Sequence, residues 1–294
     1  MILVTGASGF IGKHVVKKLL DEQQEVLVIV RDIDRYKIQG TETVYKGDLS
    51  NISLLYPYLK QYHFETCIHL AWEGIPDYSF EMSSKNLQYG MNILKMCEEI
   101  GIPNLVIAGS CWEYENPTGN TRTDDRLSCE NSFKAAKNSL HIMAHAFCKE
   151  HGIYLNWMRL FYVYGPGQRE QSLIPYIINS FKNGKQPRLN GAFNKNDFVH
   201  VQDVAEAVVK VSCQHIYPET LNVGVGKSEC VFDIVKIVAK QMDFSLDENQ
   251  YECLNSVVNF YADADEMWEH YQWKAGISLE EGIAGMCEQR LKVD

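Results

Sequence analysis

The chain has 294 residues, enough for one large α/β unit or a nucleotide-binding domain with a smaller lobe, and its 46% hydrophobic content supports a core and excludes a disordered class. A formal net charge of −10 disfavours binding to nucleic acid or to an anionic membrane surface. Nine cysteines, an odd count with no Cys-x-x-Cys pair, fit reduced thiols in a cytoplasmic protein, and no apolar run approaches the roughly 20 residues that span a bilayer.

The first apolar run ends in the turn Gly6-Ala7-Ser8-Gly9-Phe10-Ile11-Gly12, and a helical pattern through Val15, Val16, Leu19 and Leu20 follows. Strand, glycine turn and helix in that order form a site for the pyrophosphate of a dinucleotide. Gly6 permits the tight turn, Gly9 lets the backbone approach the phosphates, and Gly12 lets helix pack on strand. The helix N-terminus then turns unpaired N–H groups towards the anion. A strand beginning at residue 2 is read as leaving no room for a signal peptide.

Strand signals at 25–30, 43–46, 66–70, 104–108 and 153–160 alternate with helical patterns at 83–100 and 130–150. Such alternation predicts a parallel sheet with helices on both faces. Gly165-Pro166-Gly167 breaks the pattern. Helices are expected at 173–183, 204–213, 231–242 and 279–291, with a strand at 197–199. His141 and His145 are spaced as helical metal ligands, but no third ligand stands nearby, so no metal is expected. Arg31 follows the second strand, where an acidic residue would accept from the ribose hydroxyls of NAD. A guanidinium pairs with a 2′-phosphate instead, so NADP(H) is expected; Asp32, next in line, keeps NAD(H) open.

The Gly-x-x-Gly-x-x-Gly spacing with Phe10-Ile11 before the last glycine resembles the extended short-chain dehydrogenase/reductases of the NAD-dependent epimerase/dehydratase group, which act on nucleotide sugars. The resemblance covers nearly the whole chain. It implies a Rossmann-type doubly wound parallel sheet over residues 1–165 and a smaller, interleaved substrate lobe over 166–294. It also implies a homodimer built through a four-helix contact of the helices at 83–100 and 130–150. A nucleotide-sugar substrate is anionic, so the site must create local positive charge in an acidic chain. Gly47-Asp48-Leu49 matches the segment beside the adenine, where Asp48 accepts from the exocyclic amine. His69-Leu70-Ala71-Trp72 matches the loop beneath the cofactor, with His69 read as a core residue.

The family's reductive chemistry uses a serine or threonine, a tyrosine and a lysine four residues after the tyrosine. That spacing puts phenol and ammonium on one helix face, and the positive charge favours phenolate. Ser110 matches the serine and Lys137 the lysine, which also holds the cofactor. Phe133 stands where the tyrosine belongs. Three readings stay open: an engineered Tyr→Phe exchange, ranked first; a natural chain in which Tyr114, Tyr162 or water supplies the proton; or a dinucleotide-binding sensor without catalysis. The family's 4,6-dehydratases carry Asp-Glu directly after the serine or threonine. Here Cys111 and Trp112 stand there, which disfavours dehydration. Epimerases of the family usually hold NAD, whereas Arg31 points to net reduction. The expected activity is therefore reduction of a nucleotide-linked 4-keto-6-deoxyhexose for bacterial surface polysaccharide (lipopolysaccharide, O-antigen), with epimerase and dehydratase as alternatives. Trp112 and Tyr162 are expected at the sugar. Asn196 replaces the arginine that clamps the diphosphate in relatives, so Arg188 and Lys195 are the expected substitutes.

Overall fold

The structure is a computed structural model that describes residues 1–37, 39–214, 219–251 and 257–291. The first half alternates as its sequence requires: β1 (Ile2–Thr5), α1 (Phe10–Asp21), β2 (Val26–Val30), β3 (Thr43–Lys46), α2 (Tyr56–Leu59), β4 (Thr66–His69), α3 (Phe80–Ile100), β5 (Asn104–Ser110), β6 (Gly119–Thr121), α4 (Ser132–His151) and β7 (Tyr154–Leu160). After it come β8 (Tyr162–Tyr164), α5 (Leu173–Lys182), β9 (Lys195–Asn196), β10 (Phe198–His200), α6 (Val201–Gln214), β11 (Thr220–Val223), β12 (Glu229–Cys230), α7 (Val231–Gln241), β13 (Asn259–Ala262), α8 (Asp265–Tyr271) and α9 (Leu279–Leu291).

Seven strands form one parallel sheet in the order β3-β2-β1-β4-β5-β7-β11. Helices α1 and α6 cover one face through Val15, Val16, Leu19, Val204 and Val208. The other face is covered by α3 and α4 through Ile93, Leu94, Cys97, Leu140 and Ala144. This is the expected doubly wound fold. Strand order reverses between β1 and β4, and such a sheet opens its ligand crevice at the carboxyl ends of those strands. The last strand, β11, comes from the second half of the chain and pairs with β7. The smaller lobe has its own core of Ile174, Ile177, Phe181, Phe232, Val235 and Ile283, beside a four-stranded sheet ordered β12-β9-β13-β6.

Several boundaries differ from the sequence reading. Helix α3 starts at Phe80, earlier than expected, because the Ser79 hydroxyl accepts from Met82 N–H and caps it. Strand β5 runs on to Ser110, which carries that residue to the rim of the crevice. No helix among the described residues is long and apolar enough to cross a membrane.

Candidate active site

Two adjoining cavities form the crevice. The first is lined by Gly6, Gly9, Arg31, Asp48, Leu49, Leu70, Ala71, Trp72, Glu73 and Tyr89. The second is lined by Gly6, Gly9, Phe10, Ile11, Gly12, Leu70, Trp72, Ser110, Phe133, Lys137, Val163, Gln168 and Arg169, among others. Every cofactor residue expected from the sequence lies on one or both. Gly6 has φ +78°, and a Cβ there would fall 2.6 Å from the Ala71 nitrogen. At Gly12 a Cβ would sit 2.1 Å from the Gly6 carbonyl oxygen. The turn thus presses against the loop after β4 and the start of α1 at once. Gly9 caps α1 without a side chain, so the first N–H groups stay open to an anion.

Arg31 is more than half exposed, yet its Nη1 lies 2.8 Å from Glu73 Oε2. Lys85 reaches the same carboxylate at 3.1 Å. Glu73, hydrogen bonded first and charged second, holds the guanidinium pKa above its ordinary value. Asp48 caps the turn after β3 by accepting from Ser50 N–H at 2.8 Å, and this bond keeps its carboxyl below the usual range.

Ser110 and Lys137 face the crevice from β5 and α4. The Ser110 hydroxyl accepts from Trp112 N–H at 3.2 Å, and its backbone N–H donates to Glu113 Oε1 at 2.7 Å. This is a reciprocal capping box over Ser110-Cys111-Trp112-Glu113. Glu113 is fully buried, and its other oxygen accepts from Arg159 Nε at 2.8 Å and Trp157 Nε1 at 2.9 Å. The Ser-x-x-Glu spacing was the available sequence signal for this anchor. Lys137 is buried; its Nζ donates to the Ala108 carbonyl at 2.7 Å and sits 3.9 Å from the centre of the Trp72 ring. Burial pulls its pKa down to about 8, with Glu113 opposing.

Phe133 is 5% exposed and fills an aromatic cage. Its ring meets Tyr78 at 5.1 Å, Trp72 at 5.5 Å and Trp112 at 6.2 Å, all edge to face. Tyr114 borders a neighbouring apolar hollow, but its hydroxyl is turned away, donating to Asn222 Oδ1 at 2.6 Å and accepting from Arg159 Nη1 at 3.0 Å. Burial pushes that phenol up to about 12. Trp112 and Tyr162 line the hollow with Cys111, Lys134 and Phe260. Burial raises both the Cys111 thiol and the Tyr162 phenol well above their ordinary values.

Arg188 and Lys195 lie elsewhere. Arg188 borders a separate groove with Tyr176 and Phe244. Lys195 is an exposed residue of β9, outside the residues lining the crevice. His69 lies behind the crevice, its Nδ1 2.7 Å from Thr5 Oγ1; burial, then Lys137, lowers its pKa to about 3. His141 and His145 both face Glu219, yet among the described residues no three His, Cys, Asp or Glu side chains are placed to hold a metal ion. The sequence reading missed Glu73, Tyr78, Glu113 and Arg169.

Comparison with known proteins agrees with this geometry. A trifunctional UDP-glucose 4,6-dehydratase/UDP-4-keto-6-deoxy-D-glucose 3,5-epimerase/UDP-4-keto-L-rhamnose-reductase of Arabidopsis thaliana is 26% identical over 98% of this chain, which spans only 46% of that longer protein. The CDP-abequose synthase of Salmonella muenchen is 24% identical, covering 98% of this chain and 97% of the other. The solved structure of MoeE5 with UDP-glucose and NAD superposes with a TM-score of 0.83 at 25% identity, covering 100% of this chain and 99% of that one. The profile of the NAD dependent epimerase/dehydratase family matches residues 2–224. With the glycine turn, the serine strand end and the lysine helix meeting on one crevice, the chain belongs to the NAD-dependent epimerase/dehydratase family.

Proposed function

We propose that this chain binds NADP(H) and a nucleotide-linked 4-keto-6-deoxyhexose and that its chemistry is reduction of the C4 ketone. The observation that carries the reading is the wall beside the glycine turn: Ser110 and Lys137 on one crevice, followed by Cys111 and Trp112. The dinucleotide supplies the hydride. Ser110 orients the carbonyl, and Lys137 holds the nicotinamide ribose. Dehydration would need an acid and a base directly after Ser110. Cys111 is buried with a raised thiol pKa, and Trp112 has no group that titrates in range. The product is a nucleotide-linked deoxysugar of the kind built into bacterial surface polysaccharide, made in the cytoplasm. The eight described cysteines, all free, fit that compartment. We place the homodimer contact on α3 and α4, where Ile142 and Met143 are exposed; sedimentation of a monomer at micromolar concentration would remove it.

The test is NADPH oxidation by the parent chain and Phe133→Tyr on the same ketosugar. A positioned general acid contributes ~10²–10⁴-fold, so the tyrosine form should gain that factor in kcat with little change in KM. Because Lys137 depresses the phenol pKa, the gain should fade at high pH as the acid form is lost. Production of a 4-keto-6-deoxy sugar from a plain nucleotide hexose would refute the assignment. Equal activity of the two forms would shift the proton donor to water, Tyr162 or Tyr78. A second reading, a binder without turnover, is favoured by the closed ring cage around Phe133. It predicts cofactor and sugar binding with no NADPH consumed by the parent chain.

A further inference from the structure

The crevice wall that carries Ser110, Phe133 and Lys137 includes no Asp or Glu among the described residues, although the chain as a whole has a net charge of −10. Two cations line it, Lys137 and Arg169. Lys137 gives one N–H to the Ala108 carbonyl and lies over the face of Trp72, and its remaining donors are already assigned to the nicotinamide ribose. Arg169 is different. It lies on the loop between β8 and α5, is exposed, and has no carboxylate within salt-bridge reach among the described residues. Its neighbour Glu170 is engaged elsewhere, by Arg290 at 2.6 and 2.8 Å and by Asn179 at 2.5 Å.

The guanidinium is nevertheless placed. Arg169 Nη1 donates to the Ile75 carbonyl, on the loop that follows β4, and so reaches from one side of the crevice to the other. The Arg169 carbonyl accepts from Ser172 N–H at 3.0 Å, and Gln168 Nε2 donates to the Val163 carbonyl at 3.0 Å, which fixes the loop behind it. One N–H group on Ile75 leaves the rest of the planar donor fork for a ligand. An unopposed, pre-positioned arginine on a carboxylate-free wall selects an anion with paired oxygens.

We infer that Arg169 is the crevice's diphosphate-binding residue. The diphosphate belongs either to a nucleotide sugar or to the dinucleotide. The inference rests on the proposed function only in taking the ligands to be phosphate-bearing, and it is independent of which reaction follows.

Calorimetric titration of the parent chain, Arg169→Gln and Arg169→Lys with UDP, dTDP, GDP and CDP, and separately with NAD⁺ and NADP⁺, tests it. Glutamine keeps a donor for the Ile75 carbonyl but removes the charge. It should weaken the preferred diphosphate about 10- to 100-fold, the range for a lost charge-assisted contact. Lysine should restore most of the affinity, and the parent's affinity should fall with added salt. Loss confined to the nucleoside diphosphates assigns the nucleotide sugar, and loss confined to the dinucleotides assigns the cofactor. Unchanged affinity for both in Arg169→Gln, with unchanged thermal melting, overturns the inference, as does a parent chain that binds neither. Because no step requires turnover, failure of the ketosugar assay leaves this result standing.

Discussion

In the proposed NADP(H) reading, Arg31 selects the cofactor in competition with its neighbour Glu73. Its partner Glu73 is a quarter exposed and Arg31 more than half exposed. An ion pair in such a setting is worth about 0–1 kcal/mol, whereas a charge-assisted bond to phosphate contributes roughly 1.5–3 kcal/mol. A 2′-phosphate can therefore displace Glu73. Glu73→Gln should tighten NADP binding roughly tenfold and leave NAD unchanged, while Arg31→Ala should weaken NADP by a similar or larger factor. Fluorescence titration of both cofactors reads this directly, and an unmoved NADP-to-NAD ratio in both variants removes Arg31 as the selector. Arg31 was legible in the sequence because it follows a strand at a fixed offset from the glycine turn. Glu73 was not, because nothing local marks which residue of the loop after β4 will face the end of β2. Phe133 was visible as an anomaly, but its cage joins rings from three separate segments.

Among the elements, the turn after β5 and the C-terminal end of β7 are joined by a buried ion pair. Glu113 and Arg159 have 0% and 1% side-chain exposure. Removing one partner leaves the other charge buried without compensation, at a cost of about 3–5 kcal/mol, whereas replacing both by apolar side chains costs much less. Glu113→Leu and Arg159→Met should each lower stability by that amount, and the double variant should recover a large part of it. Urea denaturation of the four proteins in a double-mutant cycle measures the coupling; additive losses would show that the two charges do not depend on each other. Loss of Glu113 should also lower ligand turnover, since it holds the backbone at Ser110. Long elements such as α3, α4 and α7 were readable from periodicity. Strands β6, β8, β9 and β12 have only two or three residues, too few for an alternation to register. The four-residue β11 also escaped, although it completes the main sheet.

For the molecule as a whole, the α/β alternation gave the right architecture, but its response to acid follows from buried imidazoles that composition cannot reveal. Burial holds His69 at a pKa of about 3 and His200 at about 4, each against an ordinary value near 6.5. Between those limits the unfolded chain binds more protons than the folded one, so stability is fully present above about pH 6.5 and falls as pH drops through the window. Each histidine contributes a slope of about 1.4 kcal/mol per pH unit there. His69→Gln, which keeps a polar partner for Thr5, should remove one proton's worth of that slope in denaturation curves taken at pH 7, 6 and 5. An unchanged slope would mean that His69 already titrates normally in the fold. The main sheet's last strand has a consequence of a different kind, for the order in which the polypeptide is made. A ribosome that has delivered the glycine turn, Ser110 and Lys137 has delivered the residues proposed to hold the dinucleotide and orient the carbonyl, but not a finished sheet. Until Val223 has left the exit tunnel, β7 is paired with β5 alone and its outer edge along Trp157–Leu160 is open, and α1 lacks the Val204 and Val208 side chains that cover it. The nascent cofactor-binding half must therefore wait, with one edge open, for a segment made well after its own chemistry is in place.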